Sequence, residues 1–259
     1  MPPPPKSPPP EFYGLIGENA DFLLVDKPAG LMVHPTRPEP VITLIDLLRR
    51  DFPKDTLSLV NRLDRETSGL VLVARTREAA SKLGKAMMRR EIHKEYNAIV
   101  AGPVQGLPSS GLVDAPIGRV GDFEPSEIYL KRAAYPGQTG EKLQPAQTEY
   151  RIEKTFHSQN PGESIYLLHV IPHTGRIHQI RVHLAHLGYP VVGDKLYGPT
   201  CAYLRFIREG LTDELLRELR LPRHALHACK MRFQWNGQPV EYTCPLPADL
   251  EDFLKSLAC

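Results

Sequence analysis

A polar segment, Asn61-Arg62-Leu63-Asp64-Arg65-Glu66-Thr67-Ser68, interrupts two short apolar runs, LSLV (57–60) and GLVLVA (69–74). Runs of this length, rich in Leu and Val, read as buried strands. Polar groups pinned between buried strands must find partners, because burying them unpaired is costly. Any fold for this chain must therefore hold Asp64, flanked by Arg62 and Arg65, in a rigid polar loop. A carboxylate held among cations stays ionised and can serve as nucleophile or base. A lone loop acid is more often a plain salt-bridge partner. Here Arg62, Thr67, Ser68 and Gly69 beside it favour a site.

The remaining pattern supplies elements around that loop. FLLV (22–25) is a short strand ended by Lys27-Pro28-Ala29-Gly30, and residues 41–50 put Leu44, Leu47 and Leu48 on one helical face. Thr76 can cap a helix over 77–90, with Ala79, Ala80, Leu83, Ala86 and Met87 on one face and Arg89-Arg90 at its end. KEYNAIV (94–100) reads as a strand with Tyr96, Ala98 and Val100 on one face. Taken alone, Tyr96 fits a core tyrosine; its functional reading is a face for stacking on a base and a hydroxyl for proton transfer. Residues 102–146, rich in Gly and Pro, read as long loops with short strands at 112–117 and 128–132. QTEYRIEKTF (147–156) and SIYLLHVIP (164–172) alternate as an antiparallel pair.

A helix is predicted over 175–188, capped by Thr174, ended by Gly188 and striped by Ile177, Ile180, Leu184 and Leu187. Arg181 borders that stripe and needs a partner, most simply a carboxylate. Asp64 is one candidate, although spacing alone fits a structural ion pair equally well. LTDELLREL (211–219) is a helix with acids in its first turn. ALHACKMRFQW (225–235) and PVEYTC (239–244) flank Asn236-Gly237, a type I′ hairpin signal. Leu250, Phe253, Leu254 and Leu257 give a closing helix. With no repeat and no linker, residues 12–259 read as one mixed α/β domain with antiparallel pairing.

Composition narrows the function classes. Thirty-two Lys and Arg oppose 30 Asp and Glu, a net charge of +2, which argues against coating nucleic acid by bulk charge. The charge is segregated, however, with 12 Lys and Arg against 7 acids over residues 49–100. Seven of the 26 prolines fall within the first ten positions, so residues 1–11 read as a disordered, Pro-rich tail rather than a secretory signal. No apolar run approaches the roughly 20 residues of a membrane helix. Cys201, Cys229, Cys244 and Cys259 contain no C-x-x-C pair and read as free thiols in a reducing cytosol. His173, His178, His183 and His186 are clustered, but only His183 and His186 share an i,i+3 spacing and no carboxylate completes a metal set. Capping or RNA contact suits them better. Phosphate-binding loops, zinc-deaminase spacing and a nucleophile elbow are all missing.

The segments DFLLVDKPAGLMVHPT (21–36), NRLDRETSGLVLVART (61–76), KEYNAIVAG (94–102), HTGRIHQIRVHLAHLGYPVVGDKLYG (173–198) and LHACKMRF (226–233) together resemble the RluA-like family of pseudouridine synthases, in that family's order. The resemblance implies an α+β fold: a mixed, mainly antiparallel bent sheet with flanking helices and a central active-site cleft. It implies Asp64 as the catalytic aspartate and Arg181 as its ion-pair partner. Arg62 matches the arginine that helps displace the target nucleotide, and Tyr96 the tyrosine that stacks on the base and is implicated in proton transfer. Leu226 matches a pocket-lining leucine, and Lys27, Arg65, Arg176 and His178 are expected at the RNA. The implied reaction isomerises uridine in rRNA or tRNA after base flipping and needs neither metal nor cofactor. A cytoplasmic monomer acting on RNA, without DNA or membrane partners, is the matching expectation. The family usually has His where this chain has Asn61, which keeps a hydrogen-bonding amide but cannot titrate near neutrality; altered substrate context is expected, rather than lost activity. About 20 residues precede the first matched strand, too few for an S4-like RNA-binding domain. The rival readings are a nucleoside-bond hydrolase, which would want two paired carboxylates, and an RNA-folding factor without catalysis.

Overall fold

A computed structural model describes residues 12–35, 41–104, 106–198 and 202–257. The Pro-rich segment 1–11, Cys201 and Cys259 lie outside the described residues. In chain order the first half runs β1 (Gly14–Glu18), β2 (Phe22–Lys27), α1 (Leu44–Asp51), β3 (Ser58–Leu59), β4 (Ser68–Ala74), α2 (Arg77–Met88), β5 (His93–Pro103), β6 (Ser110–Asp114), β7 (Ile117–Arg119) and β8 (Arg132–Ala134). The second half runs β9 (Gln147–His157), β10 (Glu163–Pro172), α3 (Gln179–His186), α4 (Tyr203–Glu209), α5 (Asp213–Leu219), β11 (Leu226–Trp235), β12 (Gln238–Thr243) and α6 (Ala248–Ser256). Pairing is mainly antiparallel, with β4 and β11 parallel, so the class is α+β as expected.

The chain forms two compact units, each discontinuous in sequence. The first comprises residues 12–96 with 227–247, and the second 97–226 with 248–257. The boundaries fall inside β5, at the start of β11 and just before α6.

In the first unit the strand order is β1-β2-β4-β11, with β3 on β4 and β12 on β11. All seven residues of β4 are buried, which is why its sequence is an unbroken apolar run rather than an alternating one. Phe22 packs edge-on against Phe233 and Trp235, at 5.4 and 5.9 Å between ring centres. Thr76 caps α2 as expected, accepting from the N–H of Ala79 at 3.1 Å, while Ala79 and Leu83 turn inward. Asn236 (φ 50°) and Gly237 (φ 76°) make the expected tight turn between β11 and β12.

In the second unit the order is β5-β10-β9-β6, and β7 pairs with β8 separately. The expected strands at 112–117 and 128–132 are displaced to β6, β7 and β8. The reading missed β1, which is half exposed and carries two glycines, and it missed α4. Helix α3 starts at Gln179, four residues later than expected. Ile177, assigned to its apolar stripe, lies before the helix and is 48% exposed. No helix among the described residues is long and apolar enough to cross a membrane.

Candidate active site

The loop between β3 and β4 is fixed by its own side chains. Asn61 is buried, donating from Nδ2 to the carbonyl of Leu70 (3.3 Å) and accepting at Oδ1 from the N–H of Leu72 (2.8 Å). Both ends of its amide serve the backbone of β4. The Asn-for-His departure thus acts on the scaffold, which gives the expected change in substrate context no support. Thr67 N–H closes a turn on the carbonyl of Asp64 at 3.1 Å.

A second loop, 28–31, is stitched to the first. Arg65 Nε donates to the carbonyl of Gly30 (2.9 Å), and Gly30 N–H returns to the carbonyl of Arg65 (2.8 Å). Lys27 is 0% exposed, and its ammonium donates to the carbonyls of Pro28 (2.8 Å), Leu31 (2.9 Å) and Arg65 (3.1 Å). Lys27 was expected at the RNA. The structure corrects this, because a buried ammonium spanning three carbonyls is a clamp for both loops. Asp64, half-buried, and Arg62, exposed with Nη1 3.2 Å from His34 Nε2, ride on the clamped turn.

Tyr96 is buried. Burial, then the charge of Asp64, then Cys229 push its phenol above the ordinary tyrosine range. The structure therefore brings Asp64 and Tyr96 into electrostatic reach and keeps the phenol protonated. A neutral phenol beside a carboxylate can donate a hydrogen bond or relay a proton. The thiol of Cys244 is pushed up to about 12, chiefly by burial, so it is inert as a nucleophile.

In the second unit, Thr174 does not cap α3. Its hydroxyl donates to Gln179 Oε1 (2.7 Å) and accepts from the N–H of Gln147 (3.0 Å), and the residue before the helix is His178 in the left-handed region (φ 58°). Arg181, 7% exposed, donates from Nε and Nη2 to the two oxygens of Asp194 at 2.6 and 2.9 Å. The Tyr197 ring lies 5.0 Å from its guanidinium carbon. Asp194 also accepts from the N–H groups of Leu196 (2.9 Å) and Tyr197 (3.0 Å). Burial opposes its ionisation, but Arg181 and these N–H groups outweigh it and hold the carboxyl below its usual range. Asp194 is the residue the sequence reading missed. Its signal was present, since an inward-facing arginine demands a bidentate carboxylate and GDKLYG follows the helix.

The other expected contacts divide by environment. His178 Nδ1 lies 2.7 Å from the Tyr197 hydroxyl, and half-buried Arg176 donates from Nε to the carbonyl of Pro145 (3.0 Å). Leu226 is buried at the start of β11. His183 is a core histidine, with Nε2 at 2.9 Å from the Ala115 carbonyl and Nδ1 at 2.9 Å from Thr148 Oγ1. Among the described residues, no group of three His, Cys, Asp or Glu side chains is placed to hold a metal.

Known proteins resemble this chain in sequence and fold. Residues 21–186 match the family described as RNA pseudouridylate synthase. The ribosomal large subunit pseudouridine synthase D of Xanthomonas campestris pv. campestris is 38% identical over 252 residues, covering 94% of this chain and 69% of that protein. An uncharacterized RNA pseudouridine synthase of Chloroflexus aurantiacus is also 38% identical, covering 90% of this chain and 65% of that one. This chain thus spans about two thirds of the length of these relatives. The solved structure of human RNA pseudouridylate synthase domain containing 4 superposes with a TM-score of 0.70 at 25% identity, covering 95% and 93% of the two chains. For human RNA pseudouridylate synthase domain containing 1 the TM-score is 0.68 at 26% identity, covering 96% of each. With the clamped Asp64 loop, the neutral Tyr96 phenol and Arg181 all inside the matched span, the chain belongs to the RNA pseudouridine synthases, a family of isomerases.

Proposed function

We propose that this protein isomerises uridine in large-subunit rRNA, with Asp64 as the catalytic carboxylate. The rRNA target is favoured over tRNA by the relatives named for the large ribosomal subunit. The observation that carries the site is Tyr96, whose buried phenol feels the charge of Asp64 on the loop held by Lys27 and Arg65. Residues 12–259 act as one catalytic domain, as a cytoplasmic monomer that does not use DNA.

The target uridine has to leave its helix or loop stack, at a cost of a few kcal/mol that falls if the base is already unpaired. Arg62 helps displace it, Tyr96 stacks on the base, and Leu226 lines the pocket. Asp64 promotes cleavage of the C1′–N1 bond, with the charge of Arg181 assigned to its support. The uracil turns while held, C5 bonds to C1′, the proton on C5 is lost and N1 gains one. Atoms and electrons balance without an oxidant, a reductant or hydrolysis. Tyr96, a neutral phenol, is assigned as a relay, its oxygen taking the proton that leaves C5 as its own O–H proton passes to the next acceptor.

The deciding experiment incubates purified protein with a large-subunit rRNA transcript and maps pseudouridine. Wild type should form it, and Asp64→Ala should form none while binding the transcript with wild-type affinity. Pseudouridine made by Asp64→Ala would remove Asp64 from its role. Release of free uracil by wild type would favour a hydrolase instead.

A further inference from the structure

Within the second unit, a shallow cleft between β8 and α3 is lined by Lys131, Arg132, Val182, His186, Leu196 and Tyr197, among others. Val182 and Leu196 give it a buried apolar floor, and the rim is cationic. None of the described residues lining it is acidic. The Nε of Arg132 is buried and meets no hydrogen-bond acceptor from the described residues. A buried donor without an acceptor is a standing cost, and such groups call for an explanation such as a bound ion or ligand. Asp122 does feel the charge of Arg132, but behind those of Arg119 and Lys142, and it is already engaged in an ion pair with Arg119.

The cleft is joined to the residues of the proposed site. The main-chain N–H of Arg132 donates to the Tyr197 hydroxyl at 3.3 Å, and that hydroxyl lies 2.7 Å from His178 Nδ1. The ring of the same tyrosine covers Arg181. Two positions before Lys131, Tyr129 is 73% exposed and stacks under the guanidinium of Arg119 at 4.5 Å, leaving aromatic surface open. Cations beside an exposed aromatic ring suit a nucleic-acid strand, whose phosphates need charge and whose bases need flat faces.

We propose that this cleft binds a backbone phosphate of the RNA substrate. Arg132 and Lys131 supply the charge, and His186 supplies a hydrogen bond. The assignment rests on the RNA reading above and adds a contact that sets affinity and register rather than chemistry.

The test measures binding of the full chain to the same rRNA transcript from 50 to 200 mM salt. Arg132→Gln and Lys131→Gln should each bind more weakly at every salt concentration. The penalty should be about threefold larger at 50 mM than at 200 mM, as expected for one lost phosphate contact. Arg132→Lys, which keeps the charge, should retain the wild-type salt dependence and thereby separate lost charge from damaged folding. Lys255→Ala on α6 should change nothing. If wild type binds and isomerises the transcript while the salt dependence of Arg132→Gln equals that of wild type, the cleft is not a phosphate site and the RNA reading survives. Inorganic phosphate binding to wild type but not to Arg132→Gln, with RNA binding unmoved, would make it a free-anion site and overturn the RNA assignment. Failure of wild type to bind the transcript at all would remove both readings.

Discussion

Asp194 shows how a single buried acid can hold an arginine in place. Removing one partner from a buried, bidentate pair leaves the other charge uncompensated, at a cost of about 3–5 kcal/mol, whereas replacing both by apolar groups is often neutral or better. Asp194→Asn should therefore lower both stability and pseudouridine formation. The double variant Arg181→Met with Asp194→Leu should recover most of the lost stability in urea unfolding and none of the activity. A double variant that regained activity would show that Arg181 contributes only to packing. Lys27 makes the complementary case. Lys27→Met would leave the carbonyls of Pro28, Leu31 and Arg65 without their shared donor, a loss of at least about 2 kcal/mol. The turnover rate per folded molecule should fall as well, because the loop bearing Asp64 is stitched through the same ammonium. Unchanged unfolding midpoints for Lys27→Met would mean that the clamp contributes nothing.

The elements were legible where burial is one-sided or complete. The β4 run, the Thr76 cap and the Asn236-Gly237 turn each carry a local cause, and all three appear where the sequence places them. Helix α3 was drawn too long because its first turn depends on distant partners. Thr174 and Gln179 bond to each other and to the β9 strand at Gln147 and Thr148, so the chain stays non-helical until His178. Such contacts leave no periodic trace in the sequence. The same limit explains Lys27, since nothing in DKPAG announces that its lysine turns inward. Asp64, Tyr96 and Arg181 stand out as candidates because their segments resemble a known family; periodicity alone favours a core tyrosine and a structural ion pair. At the element scale the sharpest prediction concerns Gly69, where β4 meets β11. With φ at 107°, a Cβ there would overlap the carbonyl of Ala228. Gly69→Ala should thus cost at least about 2 kcal/mol and lower the unfolding midpoint; a neutral result would show that β4 and β11 can separate freely.

Across the whole molecule, two buried histidines tie stability to pH. Burial lowers the pKa of His183 despite its bond to the Ala115 carbonyl. Burial also lowers that of His224, helped by the charges of Arg181, Lys195, Arg223 and His178. Unfolding returns both to about 6.5, so below that pH the unfolded chain binds more protons than the folded one. Their contribution is complete above about pH 6.5 and is lost as pH falls toward the folded values. The unfolding temperature should therefore drop between pH 7.5 and 5, and His183→Gln should flatten part of that slope. A flat profile in wild type would mean that these imidazoles titrate alike in both states.

The discontinuity of the two units bears on how the chain is made. The first unit needs β11 beside β4, where His227 pairs with Ser68 and Ala228 with Gly69, and these residues lie 159 positions apart in each case. On a ribosome, that side of β4 must wait until all of residues 97–226 have been synthesised. During synthesis the Ser68–Gly69 end of that edge lacks its partner, while β3 and the Asn61 amide already bond the backbone of the rest. The second unit's long central segment emerges in the meantime and can organise first. Slow elongation through residues 97–226 should therefore delay closure of the first unit and lower the yield of folded protein.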